Sequence, residues 1–220
     1  MKKGILAVAV LTLSASVMAA GDAAAGEQKA AVCMACHGPG GVSANPEWPS
    51  LAGQGEKYLI KQLHDFKNGD RVNAVMAPQA AMLSDEDMAN LAAYYASQEA
   101  PKAKTKGAGE NPEEMLALGE ALYRGGDMEK GIPACSACHG PTGAGISVAA
   151  FPQLSAQHAK YTRIQLDAFK AASGSSDQAT DAPVPSAVRA NDPNAMMRDI
   201  ASQMTPKQIE AVAYYIQGLN

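Results

Sequence analysis

Cys33-Met34-Ala35-Cys36-His37 and Cys135-Ser136-Ala137-Cys138-His139 are the two stretches of this 220-residue chain whose residue types and spacing could do chemistry. Two cysteines separated by two residues lie about one helical turn apart, so both sulfurs can bond one edge of a porphyrin while the adjacent His turns its ring beneath the iron. C-x-x-C-H is accordingly the covalent attachment pattern for haem c. Each motif supplies a tether (Cys33 and Cys36; Cys135 and Cys138) and an axial ligand (His37; His139), and two covalently bound haem c groups are expected. A disulfide oxidoreductase site would want a thioredoxin-like βαβ pattern, and a zinc site a second ligand pair nearby. Neither companion is visible, and the two motifs use all four cysteines.

A haem of this kind also needs a sixth ligand, and a thioether there stabilises ferrous iron and raises the potential. Met76, Met82 and Met88 follow the first motif; Met196, Met197 and Met204 follow the second. An internal repeat serves as the ruler that separates them. Trp48-Pro49-Ser50-Leu51-Ala52-Gly53-Gln54 matches Phe151-Pro152-Gln153-Leu154-Ser155-Ala156-Gln157, and Lys57-Tyr58, Gln62-Leu63 and Phe66-Lys67 match Lys160-Tyr161, Gln165-Leu166 and Phe169-Lys170, all at an offset of 103. Leu91-Ala92-Ala93-Tyr94-Tyr95 then matches Val212-Ala213-Tyr214-Tyr215-Ile216 at 121, so the second half holds about 18 extra residues before its closing helix. Met76 precedes Ser84 by eight positions and Met197 precedes the equivalent Thr205 by the same eight. The counterparts of Met196, Met82 and Met204 are Val75, Gln203 and Leu83, none of which can replace a thioether. Met76 and Met197 are the sixth-ligand candidates, with Met76 read as part of an irregular stretch. His64 aligns with Asp167 and His158 with Gly55, so neither histidine is expected at iron. Pro49 and Pro152 keep free carbonyls that can accept the other N–H of each axial imidazole.

These residues need two helical lobes to hold them. Tyr58, Leu59, Gln62, Leu63 and Phe66 lie on one stripe, and Tyr161, Gln165, Leu166 and Phe169 repeat it. Ser84-Asp85-Glu86-Asp87 and Thr205-Pro206-Lys207-Gln208 are helix-start patterns, with Gln208 completing a capping box. An N-terminal helix running into each motif, a middle helix and a closing helix are predicted per half, and no strand alternation persists. The predicted organisation is a signal peptide over 1–20, a first lobe over 21–98, a Lys/Gly/Pro-rich linker over 99–112 and a second lobe over 113–220. Lys2 and Lys3, an apolar run and small residues up to Ala20 read as a cleavable secretory leader, and no later segment is apolar enough to span a bilayer. Its removal takes away two lysines and no acids, so the formal charge goes from −4 to −6. Nucleic acid is a poor partner for that balance. Aromatics are only 5% of the chain; two small lobes with so little bulk want the porphyrin as part of their cores.

Taken together, the paired motifs, the repeated aromatic-Pro-x-Leu-x-(Gly/Ala)-Gln segments, Tyr123-Arg124-Gly125-Gly126 and the terminal Ile216-Gln217-Gly218-Leu219 resemble the dihaem cytochrome c4 family over the whole mature chain. The resemblance implies an all-α pair of tandem class I cytochrome c domains, His/Met ligation of both irons, and Pro49 and Pro152 carbonyls accepting from His37 and His139. It also implies haems that meet near the interdomain contact. It further implies a periplasmic one-electron carrier without a small-molecule substrate. Its partners would be redox proteins such as a terminal oxidase and a quinol-oxidising complex, with peripheral membrane association possible. Two rivals stand beside this: an electron-transfer subunit of an exported oxidoreductase, and a dihaem peroxidase, which would need an open iron and distal acid or base groups. The segment Ala171 to Ala195, with Pro183, Pro185 and Pro193, is longer than the family pattern.

Overall fold

The computed structural model describes residues 21–174 and 188–219. The expected leader, 1–20, and much of the extra segment in the second half lie outside the described residues.

Ten α-helices are present among the described residues, with no strand, only two isolated bridges. The first half contains α1 (Ala23–Lys29), α2 (Met34–His37), α3 (Glu56–Asn68), α4 (Met76–Ala81) and α5 (Asp85–Ser97). The second repeats them as α6 (Pro112–Gly125), α7 (Ser136–His139), α8 (Ala159–Ala172), α9 (Met196–Gln203) and α10 (Pro206–Gly218). In each half the first and last helices cross, α1 on α5 and α6 on α10, and the middle helix packs beneath the last. The crossing is close because a glycine sits at it. A Cβ on Gly26 would stand 2.0 Å from the Asn90 carbonyl oxygen, and one on Gly119 would stand 2.3 Å from that of Ala211. The aromatic and aliphatic faces thereby brought together form the two cores, around Leu59, Leu91, Tyr94 and Tyr95 in one half and Tyr123, Ile132, Ile209 and Val212 in the other.

Both closing helices begin with a full capping box. Ser84 and Asp87 exchange side-chain-to-backbone bonds in α5, as Thr205 and Gln208 do in α10, satisfying N–H groups that have no intrahelical partner. Two expectations need correction. Met76 heads a short helix instead of an irregular stretch, and Pro78 is tolerated there because the first-turn N–H groups have no helical acceptor anyway. The second-half N-terminal helix stops at Gly125 instead of running into its motif; a loop pinned by Asp127 N–H to Ile132 O (2.8 Å) and the reverse bond (2.9 Å) intervenes. Gly126 has a positive φ with Ile132 backbone close behind it, which explains the stop.

Candidate functional site

Each motif forms a single helical turn that delivers its histidine to the interior. His37 is 8% exposed and His139 7%. The Nδ1 of His37 lies 2.9 Å from Pro49 O, and that of His139 lies 2.9 Å from Pro152 O. Since a carbonyl only accepts, Nδ1 carries the proton in both rings, and Nε2 is left with its lone pair. Burial lowers both histidines below the ordinary imidazole value, and the proline carbonyls only partly oppose it. A neutral imidazole with one nitrogen committed and the other free is the protonation state of an iron ligand.

No disulfide joins Cys33, Cys36, Cys135 or Cys138. Burial raises Cys33 and pushes Cys135 up to about 11. A thiol-redox site needs the opposite shift, and no cluster of three or more His, Cys, Asp or Glu able to hold a metal ion occurs among the described residues. The chemistry of the donor set therefore fits covalent haem better than redox or zinc use of the cysteines. One further sign of fit is the Tyr95 hydroxyl, buried beside the Cys33 thiol with no nitrogen or oxygen partner among the described residues.

The methionines sort by position. Met88 is fully buried in the first half and Met204 is 2% exposed in the second core, whereas Met82 is 71% exposed. Met76 and Met197 are half-buried at the starts of α4 and α9. In each case a side-chain oxygen receives the backbone N–H: Asn73 Oδ1 for Met76 (2.9 Å) and Asp192 Oδ2 for Met197 (3.0 Å). The far ends of these helices are tied as well. Lys67 donates to Leu83 O and its repeat partner Lys170 to Met204 O, both at 2.6 Å. His158 reaches across the interface, its Nε2 2.8 Å from Ser43 O.

Between the halves lies a cluster that the sequence reading did not find. Arg71 and Arg189, 9% and 8% exposed, each reach into the other half. Arg71 donates to Tyr161 Oη (3.1 Å) and Gln165 Oε1 (2.6 Å), and Arg189 to Tyr58 Oη (3.1 Å) and Gln62 Oε1 (3.1 Å). Each also stacks on an aromatic ring of its own half, Arg71 on Phe66 at 4.6 Å and Arg189 on Phe169 at 4.4 Å. The two are repeat equivalents, because Arg71 N–H bonds Asp65 O and Arg189 N–H bonds Ala168 O. The offset has by then grown from 103 to 118, which hid the match. Neither guanidinium has an ion pair among the described residues. Burial favours the neutral form of Tyr58, but the Arg189 and Arg71 charges outweigh it and lower the phenol. Buried cations bounded by neutral groups want an anion, and the propionates of haem c are of that class.

The cytochrome c family model matches residues 23–99 and 116–220, one stretch for each half. A cytochrome c4 of Thiocapsa roseopersicina is 50% identical over 91% of this chain and 94% of its own. The chain belongs to the dihaem cytochrome c4 family. The solved structure of reduced recombinant cytochrome c4 from Pseudomonas stutzeri superposes with a TM-score of 0.77 at 40% identity, covering 91% of this chain and all of that one. A thiosulfate dehydrogenase electron acceptor of Thiomonas intermedia is 40% identical over 95% of this chain and 88% of its own. As a c4-family member this chain is a dihaem electron-transfer cytochrome of two all-α cytochrome c domains. It carries two haem c groups at its C-x-x-C-H sites and works with redox proteins as partners. No helix among the described residues is long and apolar enough to cross a membrane.

Proposed function

We propose that this c4-family chain is an exported, periplasmic one-electron carrier, and not an enzyme, that takes electrons from a quinol-oxidising complex and delivers them to a terminal oxidase. When bound, each haem c supplies an iron that alternates between ferric and ferrous states and so holds one electron. Cys33 and Cys36, and Cys135 and Cys138, carry the thioether links. His37 and Met76 would hold the iron of the first domain, His139 and Met197 that of the second. Pro49 and Pro152 fix the imidazole planes through their carbonyls. The observation that carries this reading is the twice-repeated buried imidazole, its Nδ1 on a proline carbonyl and its Nε2 free, with a methionine at one fixed distance from each closing helix. With a methionine as sixth ligand in each half, neither iron would be left open to peroxide.

The test is turnover. Reduced protein should donate electrons to an oxidase preparation while showing negligible peroxidase activity; substantial peroxide reduction by undamaged protein would overturn the reading. A second destination is favoured by one observation, the 40% identity to a thiosulfate dehydrogenase electron acceptor. Faster reduction by such a dehydrogenase than by a quinol-oxidising complex would place the chain beside that catalytic partner.

A further inference from the structure

The glutamine closing each aromatic-Pro-x-Leu-x-(Gly/Ala)-Gln segment does something that ligation alone does not require. Gln157, 9% exposed, reaches from the second domain into the first. Its Oε1 accepts from Ser50 N–H at 3.0 Å and its Nε2 donates to Ser50 O at 3.0 Å. Gln54, 7% exposed, makes the mirror-image pair: its Oε1 accepts from Gln153 N–H at 2.8 Å and its Nε2 donates to Gln153 O at 3.1 Å. Each carboxamide oxygen also takes the N–H of its own next residue, His158 at 3.2 Å and Gly55 at 3.0 Å, which fixes the side chain.

Ser50 N–H and Pro49 C=O belong to one planar peptide unit, as do Gln153 N–H and Pro152 C=O. The Pro49 carbonyl accepts from His37 and the Pro152 carbonyl from His139, each at 2.9 Å. Two unbroken relays follow: Gln157 Oε1 to Ser50 N–H, through the peptide to Pro49 O, to His37; and Gln54 Oε1 to Gln153 N–H, through Pro152 O, to His139. Hydrogen bonds at the two ends of one amide strengthen each other. A more strongly polarised carbonyl draws harder on the imidazole N–H and raises the basicity of the free nitrogen, which favours ferric iron.

We propose that Gln54 and Gln157 are crossed positioning residues: each tunes the axial histidine of the opposite domain, so that the potential of each haem depends on a side chain of the other domain. This rests on His37 and His139 being the axial ligands, as proposed above. Docking of the domains and tuning of the irons are then one structural event.

The experiment is a redox titration of the dihaem protein, with each haem followed by NMR signals assigned to its domain, for Gln157→Leu and Gln54→Leu. Gln157→Leu should raise the potential of the first-domain haem, by about threefold in its reduction equilibrium constant, or roughly 30 mV at ~59 mV per tenfold for one electron. The second-domain haem should stay near its original value. Gln54→Leu should do the reverse. His158→Ala, which removes the side-chain contact to Ser43 and keeps the backbone N–H that Gln157 Oε1 accepts, controls for a loosened interface and should show no crossed shift. If a Leu variant does not fold, Gln157→Asn and Gln54→Asn, too short to reach both the N–H and the C=O of Ser50 or Gln153, carry the same test. Shifts of both haems together in every variant would mean simple opening of the interface, and a shift confined to the mutated domain would break the relay; either overturns the proposal. Failure of the underlying ligand assignment would be recognised separately, because the unmutated protein would then lack the spectrum of low-spin His/Met haem.

Discussion

Replacing Gly119 by Ala tests whether the α6–α10 crossing holds the second domain in shape. The added Cβ would lie 2.3 Å from Ala211 O and 2.7 Å from Tyr215 Cβ, against 3.4 Å or more for ordinary contact. Both neighbours are backbone or the root of a side chain, so the helices must separate by about 1 Å instead of a side chain swinging aside. Overpacking of this kind costs about 1–3 kcal/mol, and a rigid obstacle puts it near the upper end. Ala is the better helix former by about 1 kcal/mol, so the net loss should be about 2 kcal/mol. In a domain of this size that lowers the midpoint by about 8–16 °C. Gly125 supplies the control on the same helix: a Cβ there meets nothing within 4 Å, and Gly125→Ala should leave stability unchanged or raise it by up to about 1 kcal/mol. The crossing bears on the haem site because Tyr123 on α6 donates to Gly140 O at 2.7 Å, one residue beyond His139. Thermal unfolding followed by far-ultraviolet circular dichroism and by haem absorption should therefore show both signals falling together in Gly119→Ala. If that variant is as stable as Gly125→Ala, the close-approach reasoning is wrong.

Further outcomes are expected for four variants. Met88→Ala should cost about 2–5 kcal/mol of stability, since Met88 is fully buried, while leaving the Met–iron absorption band in place. Met82→Ala, at a 71% exposed position, should change neither, and chemical denaturation with optical spectra separates the two. Lys170→Met leaves the Met204 carbonyl without its buried donor and should lose about 1–3 kcal/mol, measured in the same way. Asp87 is held down to about 2 from its ordinary 3.8 by the Lys29 ammonium and the Ser84 cap. A lowered carboxylate pKa stabilises the fold above the unfolded value and is lost as pH falls through the folded one. This contribution should therefore fade between about pH 4 and pH 2, and Asp87→Asn should flatten that part of an acid titration followed by circular dichroism.

Much of this site was legible in the chain because it depends on short spacings. C-x-x-C-H and the proline twelve or thirteen positions later are local, and the Pro49 and Pro152 carbonyls stand 2.9 Å from the imidazoles; the repeat-indexed cap-to-methionine spacing is what proposes Met76 and Met197. What escaped were contacts between the halves. Arg71 was not matched with Arg189 because the extra segment changes the offset between them. Gln54 and Gln157 were visible as repeated residues, but their partners are peptide groups, which carry no side-chain signature. Helix α4 falls where an irregular stretch is expected, and Pro78 fits it because it lies in the helix's first turn. The symmetry of a repeat points to such residues, yet only the docking of one copy on the other says what they touch.

The most direct test of the central assignment is the far-red Met–iron band of the oxidised dihaem protein, measured for Met76→Ala, Met197→Ala and Met196→Ala against the unmutated chain. Met76→Ala and Met197→Ala should each remove about half of the band and sharply lower the potential of one haem. Met196→Ala, one position off the ruler, should leave the full band. Loss of the band in Met196→Ala with its survival in Met197→Ala would contradict the assignment.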